Sequence, residues 1–264
     1  IYDKKEQLNL STEDAKLLED LYESFKANGA TLNKDDKEKY RKLSMDLSML
    51  TLQFDQNALK DKNRFELLIT DENELSGLPE SARDAAAMLA KSKDKNGWLF
   101  NLSAPSYIPF MRYSDKRDLR EKMYREYMSV GNKGDEFDNK DIIKKIVNIR
   151  LEIAQLMGFK NYAEYALEHT MAKNSANVYK LLNQLLEAYK PIAINEYNAV
   201  EGFALGTEKE NITVMPWDWS YYSEKLRDIR FKVNDEMTRP YFELSNVKKG
   251  VFGLATQLYG ITFK

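Results

Sequence analysis

The chain has 264 residues, of which 43% are hydrophobic and 31% are charged, a composition typical of folded globular proteins and not of disordered or membrane-spanning chains. Forty Lys and Arg residues against 42 Asp and Glu residues give a formal net charge of −2, so no basic excess indicates binding to nucleic acid or to an anionic membrane. The absence of cysteine excludes disulfides, thiolate–zinc sites, thiol nucleophiles and iron–sulfur clusters.

The two ends suggest a piece of a longer protein. The chain begins Ile1-Tyr2-Asp3 without an initiator Met, and it contains no apolar run typical of a signal peptide or a membrane span. Its last residues, 259–264, have the pattern of the start of a short strand. We therefore expect an excised piece, and the ends do not distinguish a cytoplasmic from a periplasmic protein.

The first third of the chain has the pattern of two helices. Only 11 Gly and 6 Pro interrupt the sequence, which favours long helices. Ser11 can cap the first helix, in which Leu17, Leu21 and Phe25 follow at helical spacing, and Asn33 can cap the second. We expect these two helices to form an antiparallel pair.

Two short apolar segments then predict a small sheet. Residues 65–70 and 98–102 are typical of strands that pair with each other, with an Ala-rich helix between them at about 80–91. Pro105 and Pro109 are expected to break the chain after the second strand.

The rest of the chain is again helical. Helices are predicted from Asp115 to about 130, at 142–156 with Gly158 as its end, at 161–168, at 175–205 with a kink at Pro191, at 218–230 and at 245–259. The predicted fold class is therefore mostly α, a multi-helix protein with a small accessory sheet. The domain boundary is placed after the sheet segment, giving residues 1–112 and 113–264.

Little of this sequence supports chemistry by itself. His169 is the only histidine, and a zinc site without cysteine usually needs two or three, so we expect a packed or capping histidine. A Ser–His–Asp triad lacks a serine on a strand–turn–helix elbow. Among 42 acidic residues no carboxylate pair stands out, and no glycine-rich phosphate loop is present.

One aromatic cluster stands out. Trp217, Asp218, Trp219, Tyr221 and Tyr222 lie within six residues, and Asp218 is expected to cap a helix that starts at Trp219. Such a cluster can line a groove for peptide or sugar. The alternative is that these aromatic residues fasten the start of a helix to the core, and the sequence leaves both readings open.

Longer strings of residues identify a family. They occur in order along the whole chain and include Leu75-x-Gly77-Leu78-Pro79, Gly158-Phe159-Lys160-Asn161-Tyr162, Trp217-Asp218-Trp219-x-Tyr221-Tyr222-x-Glu224-Lys225, and Gly250-Val251-Phe252-Gly253-Leu254-Ala255 to Leu258-Tyr259-Gly260-Ile261. Together they resemble the thimet oligopeptidase family of zinc metallopeptidases, in particular its bacterial peptidyl-dipeptidase (dipeptidyl carboxypeptidase) branch.

The resemblance implies a helical, neurolysin-like enzyme that cleaves short peptides in a deep channel between two lobes. In that family a His-Glu-x-x-His helix and a downstream Glu hold the zinc, and the Glu of the motif activates water. With one histidine this chain cannot contain the motif, which the family places after the Tyr259-Gly260-Ile261 stretch. No catalytic or metal-binding residue can therefore be assigned here.

The chain is accordingly expected to be an interior piece, upstream of the zinc motif, that supplies scaffold and channel wall and is inactive alone. Its expected partners are short peptides and the remaining catalytic domain of the same polypeptide, with zinc bound by the parent enzyme and not by this chain. Trp217, Asp218, Trp219, Tyr221 and Tyr222 are the candidate substrate-cleft residues. The alternative function is a native, non-catalytic helical module for peptide binding or regulation.

Overall fold

The computed structural model describes residues 1–208, 212–232 and 235–263. This part of the chain is mostly helical with one small sheet, which confirms the predicted fold class. The α-helices are α1 (Thr12–Ala27), α2 (Lys34–Arg64), α3 (Glu80–Ser92), α4 (Ala104–Tyr113), α5 (Arg117–Met128), α6 (Lys140–Leu156), α7 (Tyr162–Leu167), α8 (Ser175–Thr207), α9 (Pro216–Phe231), α10 (Asp235–Thr238) and α11 (Leu244–Tyr259). Short 3₁₀ helices lie at Tyr2–Gln7, Glu72–Leu75 and Arg239–Phe242.

The sheet consists of β1 (Leu67–Ile69) and β2 (Trp98–Phe100), which pair antiparallel. Leu67 lies opposite Phe100 and Ile69 opposite Trp98, so the predicted pairing is confirmed. Leu67 and Ile69 are buried whereas Leu68 between them is exposed, as expected for a strand with one covered face.

The chain divides into two compact units, each built from two separate stretches. The first comprises residues 1–61 and 129–191, and the second comprises residues 62–128 and 192–264. The predicted domain boundary at 112/113 falls inside the second unit and stays a prediction. The kink predicted at Pro191 also stays a prediction, since α8 is continuous through that residue.

The first unit is joined by buried polar contacts. The carboxylate of Asp61, at the end of α2, accepts hydrogen bonds from the amide of Gly131 at 2.8 Å and from Nζ of Lys133 at 3.2 Å. Nδ2 of Asn57 donates to Oδ1 of Asn139 at 3.1 Å. These bonds fasten α2 to the turn that precedes α6, because buried polar groups stabilise a fold only when they are satisfied.

The second unit has an aromatic and aliphatic core around the sheet. Phe100 of β2 meets Phe110 of α4 edge to face, with ring centroids 4.8 Å apart, a favoured geometry for aromatic pairs. In the same unit Val200 and Ala204 of α8 form a buried cluster with Tyr221 and Tyr222 of α9. This cluster fixes which side of α9 faces the interior.

The expected break at Pro105 and Pro109 is wrong, because both prolines lie in α4. Pro105 occupies the first turn, where its missing N–H has no intrahelical partner to lose. Pro109 removes one backbone hydrogen bond, yet Phe110 and Met111 directly after it are buried. Their burial offsets the lost bond and keeps the helix intact.

The structure differs from expectation in two other segments, α1 and the end of the chain. The apolar stripe of α1 forms at the predicted spacing, but Leu17, Leu21 and Phe25 are all exposed, and the helix pairing proposed for them stays a prediction. Residues 261–263 are not a strand; instead the ring of Phe263 folds back and stacks on Phe252, with centroids 4.3 Å apart. Lys264 lies outside the described residues.

Candidate functional site

The candidate site is built on the start of α9. The helix begins at Pro216, whose missing N–H is tolerated in a first turn. Asp218 is therefore the third helical residue, and its carboxylate accepts a hydrogen bond from the backbone N–H of Met215 at 3.1 Å. The expectation that Asp218 caps a helix starting at Trp219 is wrong by three residues, although Asp218 does satisfy an amide at the helix start.

Asp218 is fully buried and bound by two arginines of α5. Arg117 donates to both carboxylate oxygens, from Nε at 3.1 Å to each oxygen and from Nη2 at 2.7 Å to Oδ2. Arg120 donates from Nη2 to Oδ1 at 2.8 Å. Arg120 is itself buried, and its other nitrogens donate to the carbonyls of Ser114 at 2.7 Å and Trp217 at 3.3 Å. The network holds α5, α9 and the loop before α5 together.

The electrostatics of this network favour an aspartate that is ionised at neutral pH. Burial by itself would raise the pKa of Asp218, but hydrogen bonds from Arg117, the Met215 amide and Arg120 outweigh it and hold the pKa below its usual value. A carboxylate that accepts bonds from two guanidinium groups has no proton to give and no free lone pair for a substrate. Asp218 is therefore suited to fixing geometry and not to acid–base chemistry.

The two tyrosines of the cluster continue the buried network. The hydroxyl of Tyr221 donates to Oδ1 of Asp115 at 2.6 Å, and the hydroxyl of Tyr222 donates to Oε1 of Glu208 at 2.5 Å. The guanidinium carbon of Arg120 lies 4.0 Å from the centroid of the Tyr221 ring, a cation–π contact. Burial and the bond to Asp115 raise the pKa of Tyr221, so this hydroxyl keeps its proton.

The two tryptophans differ in their exposure to solvent. Trp217 is buried, with the guanidinium carbon of Arg125 4.8 Å from its ring centroid. Trp219 is 38% exposed and stacks on the exposed ring of Tyr197, with centroids 5.9 Å apart and planes 6° from parallel. Of the five predicted cleft residues, only Trp219 presents a large exposed ring.

A cavity of about 620 Å³ lies beside this network in the second unit. Its walls include both charged and apolar side chains, among them Arg112, Tyr113, Asp115, Phe203, Glu224 and Lys225. None of the five predicted cleft residues lines it. Asp115 links the cavity to the cluster, because it also accepts hydrogen bonds from Ser76 at 2.7 Å and from Tyr221.

The described residues do not form a recognisable metal site. Among the described residues no group of three or more His, Cys, Asp or Glu side chains is placed to hold a metal ion. His169 is neither packed nor capping, contrary to expectation: α7 ends at Leu167, and the exposed imidazole lies with Nε2 3.4 Å from the carboxylate of Glu168. In the described part of the chain no helix is both long and apolar enough to cross a membrane.

Sequence reasoning missed the partners of the cluster. Arg117 and Arg120 lie three residues apart on α5 and so share one helix face, while Asp115 precedes that helix. This spacing was a usable signal for a carboxylate-binding pair. The spacing of the arginines does not identify the carboxylate that they bind, because Asp218 lies about one hundred residues further along the chain.

The model of one protein family, described as peptidase family M3, matches residues 110–264. The match therefore includes α5, α9 and α11, and with them the whole Arg117–Arg120–Asp218 network. It covers more than half of the chain.

Curated relatives extend the similarity to almost the whole chain. Oligopeptidase A of Salmonella typhimurium is 36% identical over 262 residues, which are 97% of this chain and 38% of that protein. The probable cytosolic oligopeptidase A of Arabidopsis thaliana is 37% identical over 263 residues, 96% of this chain and 37% of the relative. Dipeptidyl carboxypeptidase of Escherichia coli is 31% identical over 265 residues, 100% of this chain and 39% of the relative.

These relatives agree with the resemblance drawn from the sequence, because they include both oligopeptidase A and dipeptidyl carboxypeptidase. The chain spans less than two fifths of the length of each of the three. Because the family model matches more than half of the chain, this chain belongs to peptidase family M3.

Proposed function

We propose that this chain is one part of a zinc-dependent oligopeptidase that hydrolyses short peptides, and that it supplies helical scaffold and channel wall. The observation that carries the proposal is the family match over residues 110–264. The relatives named oligopeptidase A and dipeptidyl carboxypeptidase support peptides as the substrate class. Release of C-terminal dipeptides is the finer form of this proposal.

The zinc of such an enzyme does not fit the residues of this chain. The sequence has one histidine and no cysteine, and the described carboxylates form no cluster suited to a metal. A tetrahedral zinc site needs three protein ligands and an open position for water. We therefore place the zinc ligands and the water-activating group in the part of the polypeptide that this chain does not contain.

We propose that this chain holds part of the wall of the substrate channel in a fixed position. Asp218 and its two arginines lock the start of α9 to α5, and Tyr221 and Tyr222 lock the same helix to Asp115 and Glu208. A helix held in this way presents its opposite side in a fixed orientation. In a channel, such fixed walls hold a peptide in the geometry that the reaction requires.

Of the five candidate cleft residues, we therefore propose that only Trp219, on the exposed side of α9, contacts the substrate. Trp219 and Tyr197 form a stacked, solvent-accessible aromatic surface, which suits the apolar side chains and the amide faces of a peptide. Trp217, Asp218, Tyr221 and Tyr222 then act by holding Trp219 in place.

The same exposed aromatic pair favours a second candidate, a non-catalytic module that binds peptide. It differs from the first proposal in needing no remaining catalytic domain. The size of the endogenous protein distinguishes the two: a band well over 30.8 kDa on an immunoblot supports the oligopeptidase, and a sole band of that size supports the binding module.

The experiment that tests the first proposal is a peptidase assay of a hybrid enzyme. This chain replaces the similar 262 residues of Salmonella typhimurium oligopeptidase A, and hydrolysis of an internally quenched peptide is followed with and without a zinc chelator. We expect chelator-sensitive hydrolysis by the hybrid. A folded, zinc-loaded hybrid that hydrolyses no peptide would contradict the proposal.

A further inference from the structure

Helix α11 carries an uninterrupted coiled-coil pattern. Apolar residues stand at each step of three and then four residues along the helix, the spacing of heptad positions a and d; they are Leu244, Val247, Val251, Leu254 and Leu258. All five are between 39% and 73% exposed. The stripe therefore has the spacing with which one helix packs against another, and the described part of the chain leaves it exposed.

The helix has few stabilising features of its own beyond the cap at Gly260, whose N–H donates to the carbonyl of Thr256. It has 16 residues, none of them buried, and no side-chain hydrogen bond caps its start. Gly250 and Gly253 lie in its interior, where each lowers helix stability relative to alanine. Isolated helices of this length are marginal in water even with favourable residues. Packing of a partner along the a/d stripe would supply further stability.

The surroundings of the stripe leave it accessible. Phe263 stacks on Phe252, which occupies the neighbouring heptad position b, so the end of the chain covers a different face. A Cβ atom built on Gly250, at position g beside the stripe, would meet no atom within 4 Å. A second helix can consequently approach α11 closely on that side.

We infer that the a/d stripe of α11 binds a helix from the part of an M3 polypeptide that lies outside this chain. The inference rests on the proposed function. The family match runs through α11 to residue 264, and the chain covers only 38% of oligopeptidase A from Escherichia coli, so the remaining portion is long enough to supply the partner. The stripe spans 15 residues, about 21 Å, which calls for a partner of about four turns.

Charge favours such a partner over a second copy of this chain. Lys248 flanks the stripe at position e and Lys249 follows it, whereas α11 contains no acidic residue. A second α11 offers these lysines no opposite charge. The expected partner helix carries Glu or Asp beside its own apolar stripe.

The first test uses this chain alone. Because α11 lacks its partner there, we expect its amides between 244 and 259 to exchange hydrogen within seconds, while the chain sediments as a monomer. Slow exchange of these amides in a monomer would overturn the inference, since α11 would then need no partner. The chain could instead form a dimer in which these amides exchange slowly and which Leu254→Lys dissociates. That result would assign the stripe to a second copy of this chain and would also overturn the inference.

The second test supplies the partner. This chain is expressed together with the segment of Escherichia coli oligopeptidase A that follows its 262 similar residues, as a separate, tagged polypeptide. We expect the two to co-purify, and Leu254→Lys to lower the recovery of this chain at least tenfold. The matched control is Thr256→Lys, at the exposed position f of the same helix, which should leave recovery unchanged. Failure to co-purify, or equal recovery of both variants, overturns the inference.

Peptide hydrolysis by the co-purified pair separates this inference from the proposed function. A pair that depends on Leu254 but hydrolyses no peptide sustains the docking of α11 and overturns the proposed function. A pair that hydrolyses peptide and is indifferent to Leu254→Lys sustains the proposed function and overturns the docking surface.

Discussion

Nη2 of Arg120 lies 2.8 Å from Oδ1 of Asp218, and both side chains are excluded from solvent. The pair joins α5 to α9 across about one hundred residues of sequence, and Arg117 completes it from the edge. A buried ion pair is costly to break, because removal of one partner leaves the other charge without water or a counter-charge. The orientation of α9, and with it the candidate peptide-binding surface, depends on this relationship.

Substitution of the aspartate should therefore be severe. We expect Asp218→Ala to lower the free energy of unfolding by about 3–5 kcal/mol, since Arg120 remains buried without its partner. The control is Asp20→Ala, which removes an exposed ion pair with Lys16 and should leave the same quantity nearly unchanged. Urea titration followed by circular dichroism measures both, and equal effects would refute the proposed anchor.

The same carboxylate predicts a dependence on acid. The pKa of Asp218 is lower in the folded state than in the unfolded chain, because the bonds from its arginines outweigh burial. Its contribution to stability is therefore present at neutral pH and is lost as the pH falls below about 4. We expect the melting temperature of Asp218→Asn to lie furthest below that of the natural chain at pH 6, and the gap to narrow between pH 4 and 2. A gap independent of pH would contradict this assignment.

Substitution of alanine for Gly77 and for Gly206 should change the free energy of unfolding in opposite directions. Gly77 has φ of +84°, and a Cβ atom there would lie 2.1 Å from the carbonyl oxygen of Tyr113. Gly77→Ala should cost at least about 1–3 kcal/mol of unfolding free energy. Gly206 lies within α8 with no atom near its Cβ position, so Gly206→Ala should stabilise by about 0.5–1 kcal/mol. Thermal unfolding of both variants tests the pair, and a stabilising Gly77→Ala would show that the loop before α3 tolerates a side chain.

Substitution of Trp217 should mainly lower stability, whereas substitution of Trp219 should mainly weaken peptide binding. Trp217→Ala removes a buried ring and should cost about 3–5 kcal/mol of unfolding free energy. Trp219→Ala removes an exposed ring stacked on Tyr197 and should cost less than about 1.5 kcal/mol. In the hybrid oligopeptidase, Trp219→Ala should raise KM for a short peptide by about tenfold, a loss of about 1.4 kcal/mol. An unchanged KM would remove Trp219 from the substrate surface.

Periodicity predicted most of the helices, although not α4, and it did not predict which apolar faces are covered. The spacing of Ile142, Ile146 and Ile153 correctly indicated a helix with a buried face. The equally regular spacing of Leu17, Leu21 and Phe25 indicated a helix whose apolar face is exposed. A repeat of 3.6 residues shows that a face is apolar, but burial depends on another part of the molecule.

The candidate site shows a similar division. The sequence singled out Trp217, Asp218, Trp219, Tyr221 and Tyr222, and the structure places them at one end of α9. Helical geometry alone separates Trp217 and Tyr221, which are one turn apart on the inner face, from Trp219 on the outer face. The pairing of these residues with Arg120 and Asp115 could not be predicted, because no local pattern in the sequence indicates a partner about one hundred residues away.

We propose that this chain provides the scaffold of an M3 peptidase and none of its catalytic groups. The most direct measurement compares zinc content and chelator-sensitive hydrolysis of a quenched peptide for this chain alone and for the hybrid with oligopeptidase A. We predict no bound zinc and no hydrolysis for the chain alone, and one zinc ion per hybrid with hydrolysis that a chelator abolishes. Chelator-sensitive hydrolysis by the chain alone would contradict the account.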